Sequence, residues 1–153
     1  MIDHEIEIMT AILIRLDVLG TDLRDGKWWT QGFYRNDPRS RGLTYEIVHY
    51  GIPYRPRDWL DAAPTALDRQ HFCRALTRLC ALKLIVRVER FGNRTTHLQI
   101  TPKGLTVGLR VLEKIGETVD LDAIKAALEI VAWATPEHHA ALAAVRPQEA
   151  PAT

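Results

Sequence analysis

The sequence predicts an α+β chain that is mainly helical and carries one small antiparallel β-hairpin. Three observations lead there. Apolar residues recur at helical spacing over four stretches, which begin near residues 3, 66, 102 and 121. One β-branched run, Leu84 to Phe91 ("LIVRVERF"), is followed by Gly92-Asn93, a hairpin turn signal, and by a return segment from Arg94 to Ile100. Residues 22–54 hold Gly26, Gly32, Pro38, Gly42, Gly51 and Pro53, a density of breakers that excludes long helices there.

The first helix is expected from Asp3 to Leu19. Ile6, Met9, Leu13 and Leu16 form one stripe, with Ile12 and Leu19 beside it; Asp3, Glu5 and Glu7 suit the positive end of the helix dipole, and Gly20 is expected to end it. Ile8 and Ile14 make the helix apolar on more than one face, which fits either a dimer interface or a helix sunk among its own neighbours. Residues 43–50 lean towards a short helix. Another short helix is expected from Arg57 to Ala63, started by Pro56 and broken by Pro64-Thr65. Ala66 to Leu82 follows as a long helix, with Phe72, Ala75, Leu76 and Leu79 on its apolar face. After the hairpin, Thr101 caps a helix whose first residue is Pro102 and which runs to about Ile115, where Gly116 stops it. Leu121 to Ala134 and Pro136 to Val145 complete the helices. The expected division is residues 1–116 as a main domain, 117–146 as a C-terminal helical extension and 147–153 as a tail.

With 46% hydrophobic and 25% charged residues in 153, the composition is that of a globular chain with a substantial core. The net charge of +1 conceals an asymmetry. Residues 1–23 hold one basic and five acidic side chains, residues 65–97 seven and two, and residues 105–153 four and seven. A positive middle between negative ends is the footprint of a local anion-binding surface. Cys73 and Cys80 fall on the same side of one helix, about 10 Å apart by helix rise, too far for a disulfide. The N-terminal stretch is acidic rather than signal-like, and no apolar run nears the roughly 18 residues of a membrane span, so a cytoplasmic protein without membrane contact is expected.

A short helix, a tight turn, a long helix and a hairpin follow one another between residues 57 and 100. "RALTRLCALKLIVRVERFGNRTTHLQITPKG", Arg74 to Gly104, resembles the recognition helix and wing of bacterial winged helix-turn-helix regulators of the MarR-like and PadR-like groups. The matching positions are Arg74, Ala75, Leu76, Leu79, Leu84, Ile85 and Arg87, then Arg94, Leu98, Ile100, Thr101 and Gly104. The resemblance covers residues 65–112. It implies a DNA-binding transcriptional regulator with a recognition helix at about 66–82 and a wing at about 85–100. Lys83 stands where such proteins often have glycine, so the helix-to-strand junction is expected to lack a residue free to take a left-handed conformation.

The residues themselves point the same way. Binding a duplex needs cations on a protruding surface. The polar face of the long helix offers Gln70, His71 and Arg74 to base edges, and Thr77 and Arg78 to phosphate; at the hairpin, Arg90, Asn93 and Arg94 cluster around the turn. The expected partners are double-stranded DNA and a second copy of the chain. Residues 105–115, residues 121–134 and the first helix are the expected dimer surface, and the stripe Leu121, Ile124, Leu128 and Val131 packs either there or on its own domain. An alternative is a protein-interaction module with no direct contact to DNA.

Other features carry blander readings. Trp28, Trp29, Phe33 and Tyr34 are expected to pin an irregular segment rather than to stack on bases. His138-His139 cannot share a helical face and no metal site is expected. His71 and His97 are read as surface polar residues. Cys73 and Cys80 are read as packing residues at the edge of the apolar face. No catalytic motif is present, and neither a cofactor nor an enzymatic activity is expected.

Overall fold

The computed structural model describes residues 1, 3–25, 43–60 and 62–145. Its elements are α1 (Asp3–Arg24), α2 (Leu43–His49), β1 (Ile52–Pro53), a 3-10 turn (Pro56–Asp58), α3 (Ala66–Ala81), β2 (Ile85–Val88), β3 (His97–Ile100), α4 (Pro102–Ile115), α5 (Leu121–Ile130) and α6 (Pro136–Val145). The chain is mainly helical with a small three-stranded antiparallel sheet in the order β1-β3-β2. Trp28, Trp29, Phe33 and Tyr34 lie outside the described residues.

α1 is the central strut. Ile8, Met9, Ile12, Leu13 and Leu16 are fully buried, and the helix packs against α3, α4 and α5. Its second apolar face is therefore met largely from within the chain; Ile14 and Val18 stay exposed. The stripe of α5 has the same fate: Ile124, Leu128 and Val131 are buried in the core that α1 and α4 share. Those helices bury inside one molecule most of the apolar surface that argued for a dimer, Ile14 excepted.

α1 does not end at Gly20. It continues to Arg24, and Gly20 is a crossing point. A Cβ built there would sit 1.7 Å from the Ala123 carbonyl oxygen of α5, so only glycine lets the two backbones approach this closely. Gly104 plays the same part between α4 and the start of β2, where a Cβ would meet the Leu84 carbonyl oxygen at 1.9 Å.

The short helix expected at 57–63 is reduced to the 3-10 turn, closed by Trp59 N–H on the Pro56 carbonyl at 3.0 Å. Pro64 disfavours helical backbone at Ala63, and Thr65 must be extended to cap α3, which leaves the segment no room to continue. The Thr65 cap is reciprocal: its hydroxyl accepts from Asp68 N–H at 3.1 Å and the Asp68 carboxylate accepts from Thr65 N–H at 2.9 Å. These bonds to its ionised form hold the Asp68 carboxyl below the ordinary carboxylate range.

At the other end of α3 the expectation for Lys83 fails. Lys83 adopts φ +61° and closes a full Schellman motif, with Lys83 N–H on the Cys80 carbonyl and Leu84 N–H on the Leu79 carbonyl, both at 3.0 Å. Buried Leu79 and Leu84 supply the apolar contact of that motif. The Thr101 hydroxyl, which accepts from Gly104 N–H at 2.9 Å to cap α4, also donates to the Lys83 carbonyl at 2.6 Å. Tertiary bonds thus hold a lysine in a conformation that disfavours a side chain by about 1 kcal/mol. Lys83→Gly is expected to raise stability by up to about 1 kcal/mol, read as a higher urea midpoint.

The hairpin ladder is shorter than the sequence suggests. Ile85 pairs with Ile100 and Val88 with His97, and Phe91 and Arg94 meet again in an isolated bridge in the same register. Between them Thr96 interrupts the ladder. Its carbonyl turns to accept Tyr54 N–H at 3.0 Å, next to β1, and its hydroxyl donates to the Val88 carbonyl at 3.1 Å. β1, too short to carry a periodicity, is placed by Ile52 opposite Leu98.

α5 stops at Ile130 rather than Ala134, because the next residues bond elsewhere. Ala132 N–H donates to the Val48 carbonyl and the Trp133 indole to the Ile47 carbonyl, both at 2.8 Å, which docks α2. His138 of α6 is buried. Its Nδ1 lies 3.0 Å from Thr135 N–H, which donates to it, so Nε2 carries the proton given to the Ile100 carbonyl at 2.7 Å. Both ring nitrogens are occupied, Nδ1 at the start of α6 and Nε2 in tying α6 to β3.

Candidate nucleic-acid interface

An open groove of about 1000 Å³ runs between α3, the 53–57 segment and the β2–β3 hairpin. Arginine dominates its lining. Arg55 and Arg57 come from the segment, Arg69 from the first turn of α3, and Arg87, Arg90 and Arg94 from the hairpin, against the one carboxylate, that of Glu46, that lines it among the described residues. The elements that converge here explain the clustering. The Thr65 cap fixes where α3 begins, the Schellman turn aims β2 back along it, and β1 holds the 53–57 segment against β3.

Several of these side chains are held in place. Arg87 Nε donates to the Thr95 hydroxyl at 2.9 Å. The Arg90 guanidinium lies 3.8 Å above the Tyr50 ring and 4.8 Å from the Phe91 ring centre. Tyr54 lies on the wall with its phenol pushed up to about 12 by burial, a shift the nearby Arg87 opposes, so it stays a neutral donor at physiological pH.

His97 is buried, contrary to its reading as a surface residue. Its Nδ1 lies 2.9 Å from the Thr96 hydroxyl and its Nε2 3.6 Å from Glu46 Oε1, beyond hydrogen-bond range. Burial lowers its pKa below the usual histidine value, and Arg90 and Arg55 add to the effect, while Glu46 opposes it. The unfolded chain therefore binds the proton more readily than the folded one. On account of His97, stability is undiminished above about pH 6.5 and falls as pH drops from there towards the lower folded value. Urea midpoints at pH 7.5 and 5.5 should differ less in His97→Gln than in the native chain.

The residues picked out from sequence divide into three sets. Arg90, Asn93 and Arg94 line the groove. Gln70 and Arg74 are exposed on α3, about 100° around the helix from the groove-lining Arg69 and Cys73. The other three have prior commitments. The His71 ring packs edge-on against His4 at 5.1 Å. The Thr77 hydroxyl donates back to the Cys73 carbonyl at 3.1 Å. Arg78 Nε lies 3.0 Å from Oε1 of Glu5, a carboxylate of α1 that is 1% exposed. Arg78 is thus better described as a tie between α3 and α1 than as a free phosphate ligand. Arg78→Ala should cost about 2 kcal/mol, because it strips an ion pair from a buried carboxylate, and should lower the melting temperature where Arg74→Ala does not.

Arg55, Arg57, Arg69 and Arg87 were not singled out from sequence as ligands. The signal that reaches them is three-dimensional: Arg55 and Arg57 come to the groove that Arg69 and Arg87 line when β1 pairs with β3. Cys73 is exposed and lines the groove instead of packing in the core. Cys80 does pack against the core, and burial pushes its thiol up. Among the described residues no helix is long and apolar enough to cross a membrane, and no group of three or more His, Cys, Asp or Glu is placed to hold a metal ion. Comparison with protein-family models, curated proteins and solved structures returned no match.

Proposed function

We propose that this chain is a DNA-binding transcriptional regulator of the winged helix-turn-helix type, with α3 as recognition helix and the β2–β3 hairpin as wing. The observation that carries the reading is the groove between them, where, among the described residues, six arginines meet one glutamate. A phosphate backbone is the polyanion such a surface suits, and each arginine that neutralises a phosphate releases a counterion. Exposed Gln70 and Arg74 on α3 are the side chains offered to base edges, glutamine suiting adenine and arginine guanine. Arg94 and Asn93 at the hairpin tip are offered to the backbone beside them or to the adjacent minor groove.

The test is fluorescence anisotropy with a labelled duplex of random sequence across a salt series. The logarithm of the binding constant should fall linearly with the logarithm of salt concentration, and Arg94→Ala should flatten the slope by about one. Arg74→Ala should instead relax sequence preference in a selection from a random pool. A folded protein that ignores duplex DNA at low salt overturns the reading and passes the arginine groove to an acidic protein partner.

A further inference from the structure

We propose that Phe91 is a wedge that enters a base step of the duplex from the minor groove while the arginines around it hold the phosphates. The inference rests on the DNA-binding reading above and adds to it a residue that deforms the ligand.

Phe91 is 72% exposed, more than any other large apolar side chain among the described residues. It stands at the outermost rung of the hairpin, directly before the Gly92-Asn93 turn. Space is open at the turn: a Cβ built on Gly92 meets nothing within 4 Å among the described residues. An apolar residue at such a place ordinarily packs across the ladder. Here the residue opposite is Arg94, itself exposed, so Phe91 has no apolar cross-strand partner. Directly opposed residues of an antiparallel pair send their side chains to the same face, so ring and guanidinium leave the tip together. Arg90 stays close to the ring, with its guanidinium 4.8 Å from the ring centre and 3.8 Å from that of Tyr50.

An open aromatic ring flanked by arginines on a narrow, protruding tip has the makings of a minor-groove wedge. Cations secure the two backbones while the ring replaces a base–base stack with a base–ring stack. The cost of the step is the unstacking, so a duplex already loosened at one step should be bound more tightly than a continuous one.

The experiment compares two 20-base-pair duplexes of one sequence, one fully paired and one with a single central C·C mismatch, by anisotropy at fixed low salt. The native chain should bind the mismatched duplex about tenfold more tightly. Phe91→Ala should bind both alike, with the native salt slope and an unchanged melting temperature, since an exposed ring contributes little to the core. Arg90→Ala should weaken both duplexes equally and keep the preference. Equal binding of the two duplexes by the native chain overturns the wedge and leaves the DNA-binding reading standing. So does a Phe91→Ala variant that keeps the preference or loses affinity for both duplexes equally. Failure of the native chain to bind either duplex removes the DNA-binding reading itself.

Discussion

Gly20→Ala and Gly104→Ala should each destabilise the chain by about 3 kcal/mol or more, while Gly108→Ala should be close to neutral. Alanine normally improves a helix interior over glycine by about 1 kcal/mol, so helix propensity alone predicts a gain at all three sites. What separates them is the atom that the new methyl meets. At Gly20 it is the Ala123 carbonyl oxygen at 1.7 Å and at Gly104 the Leu84 carbonyl oxygen at 1.9 Å, both backbone, so helices or strand must move apart. Separation at Gly20 opens the α1–α5 contact, where Leu16, Ile124 and Ala127 belong to one buried cluster. Separation at Gly104 also strains the Thr101 cap and, through it, the turn at Lys83. At Gly108 the nearest atoms are Leu13 Cδ1 at 2.8 Å and Met9 Cε at 3.0 Å, the far ends of side chains that can rotate. Urea denaturation of the three variants reads the difference directly. A Gly20→Ala protein as stable as the native chain would show that the α1–α5 approach is looser than described.

Replacing Arg69 and Arg94 together by alanine should lower duplex affinity about a hundredfold at moderate salt while leaving the urea midpoint unchanged. The two lie on opposite walls of the groove, one on α3 and one at the hairpin tip, and both are exposed. A hydrogen bond to a charged group is worth roughly 1.5 kcal/mol or more, so two lost phosphate contacts multiply to about that factor. Because neither side chain supports the core, a loss of affinity can be assigned to the interface. Anisotropy titration gives the affinity. A loss no larger than that of one single variant would mean that the two do not contact the duplex at once, and that the groove is not the phosphate track.

Much of the architecture was legible in the sequence because it is local. α3, α4 and α6 start at Thr65, Thr101 and Thr135-Pro136 as expected, since a cap is decided by residues within one turn of it. The Gly92-Asn93 turn is likewise local, with Gly92 at φ +79°. The candidate site was legible only in part. The basic hairpin tip announced itself by composition. The burial of His97, the diversion of Arg78 to Glu5 and the arrival of Arg55 and Arg57 beside Arg69 did not, because each depends on a residue tens of positions away.

A glycine and a lysine mark where local information ends. Gly20 reads as a helix stop, and a stop is what its intrinsic preference favours; it sits inside a helix because Ala123 of α5 needs the space of a missing side chain. Lys83 reads as a residue unsuited to a left-handed turn, yet Thr101 and the Schellman bonds hold it there. The sequence by itself determined the starts of α3, α4 and α6, the hairpin turn and the positive middle of the chain, because periodicity, capping and charge act over a few residues. Only the tertiary structure decided which apolar faces are met inside the molecule and which arginines share a groove. Those outcomes depend on packing between distant segments, where one shared volume can override a preference of about 1 kcal/mol.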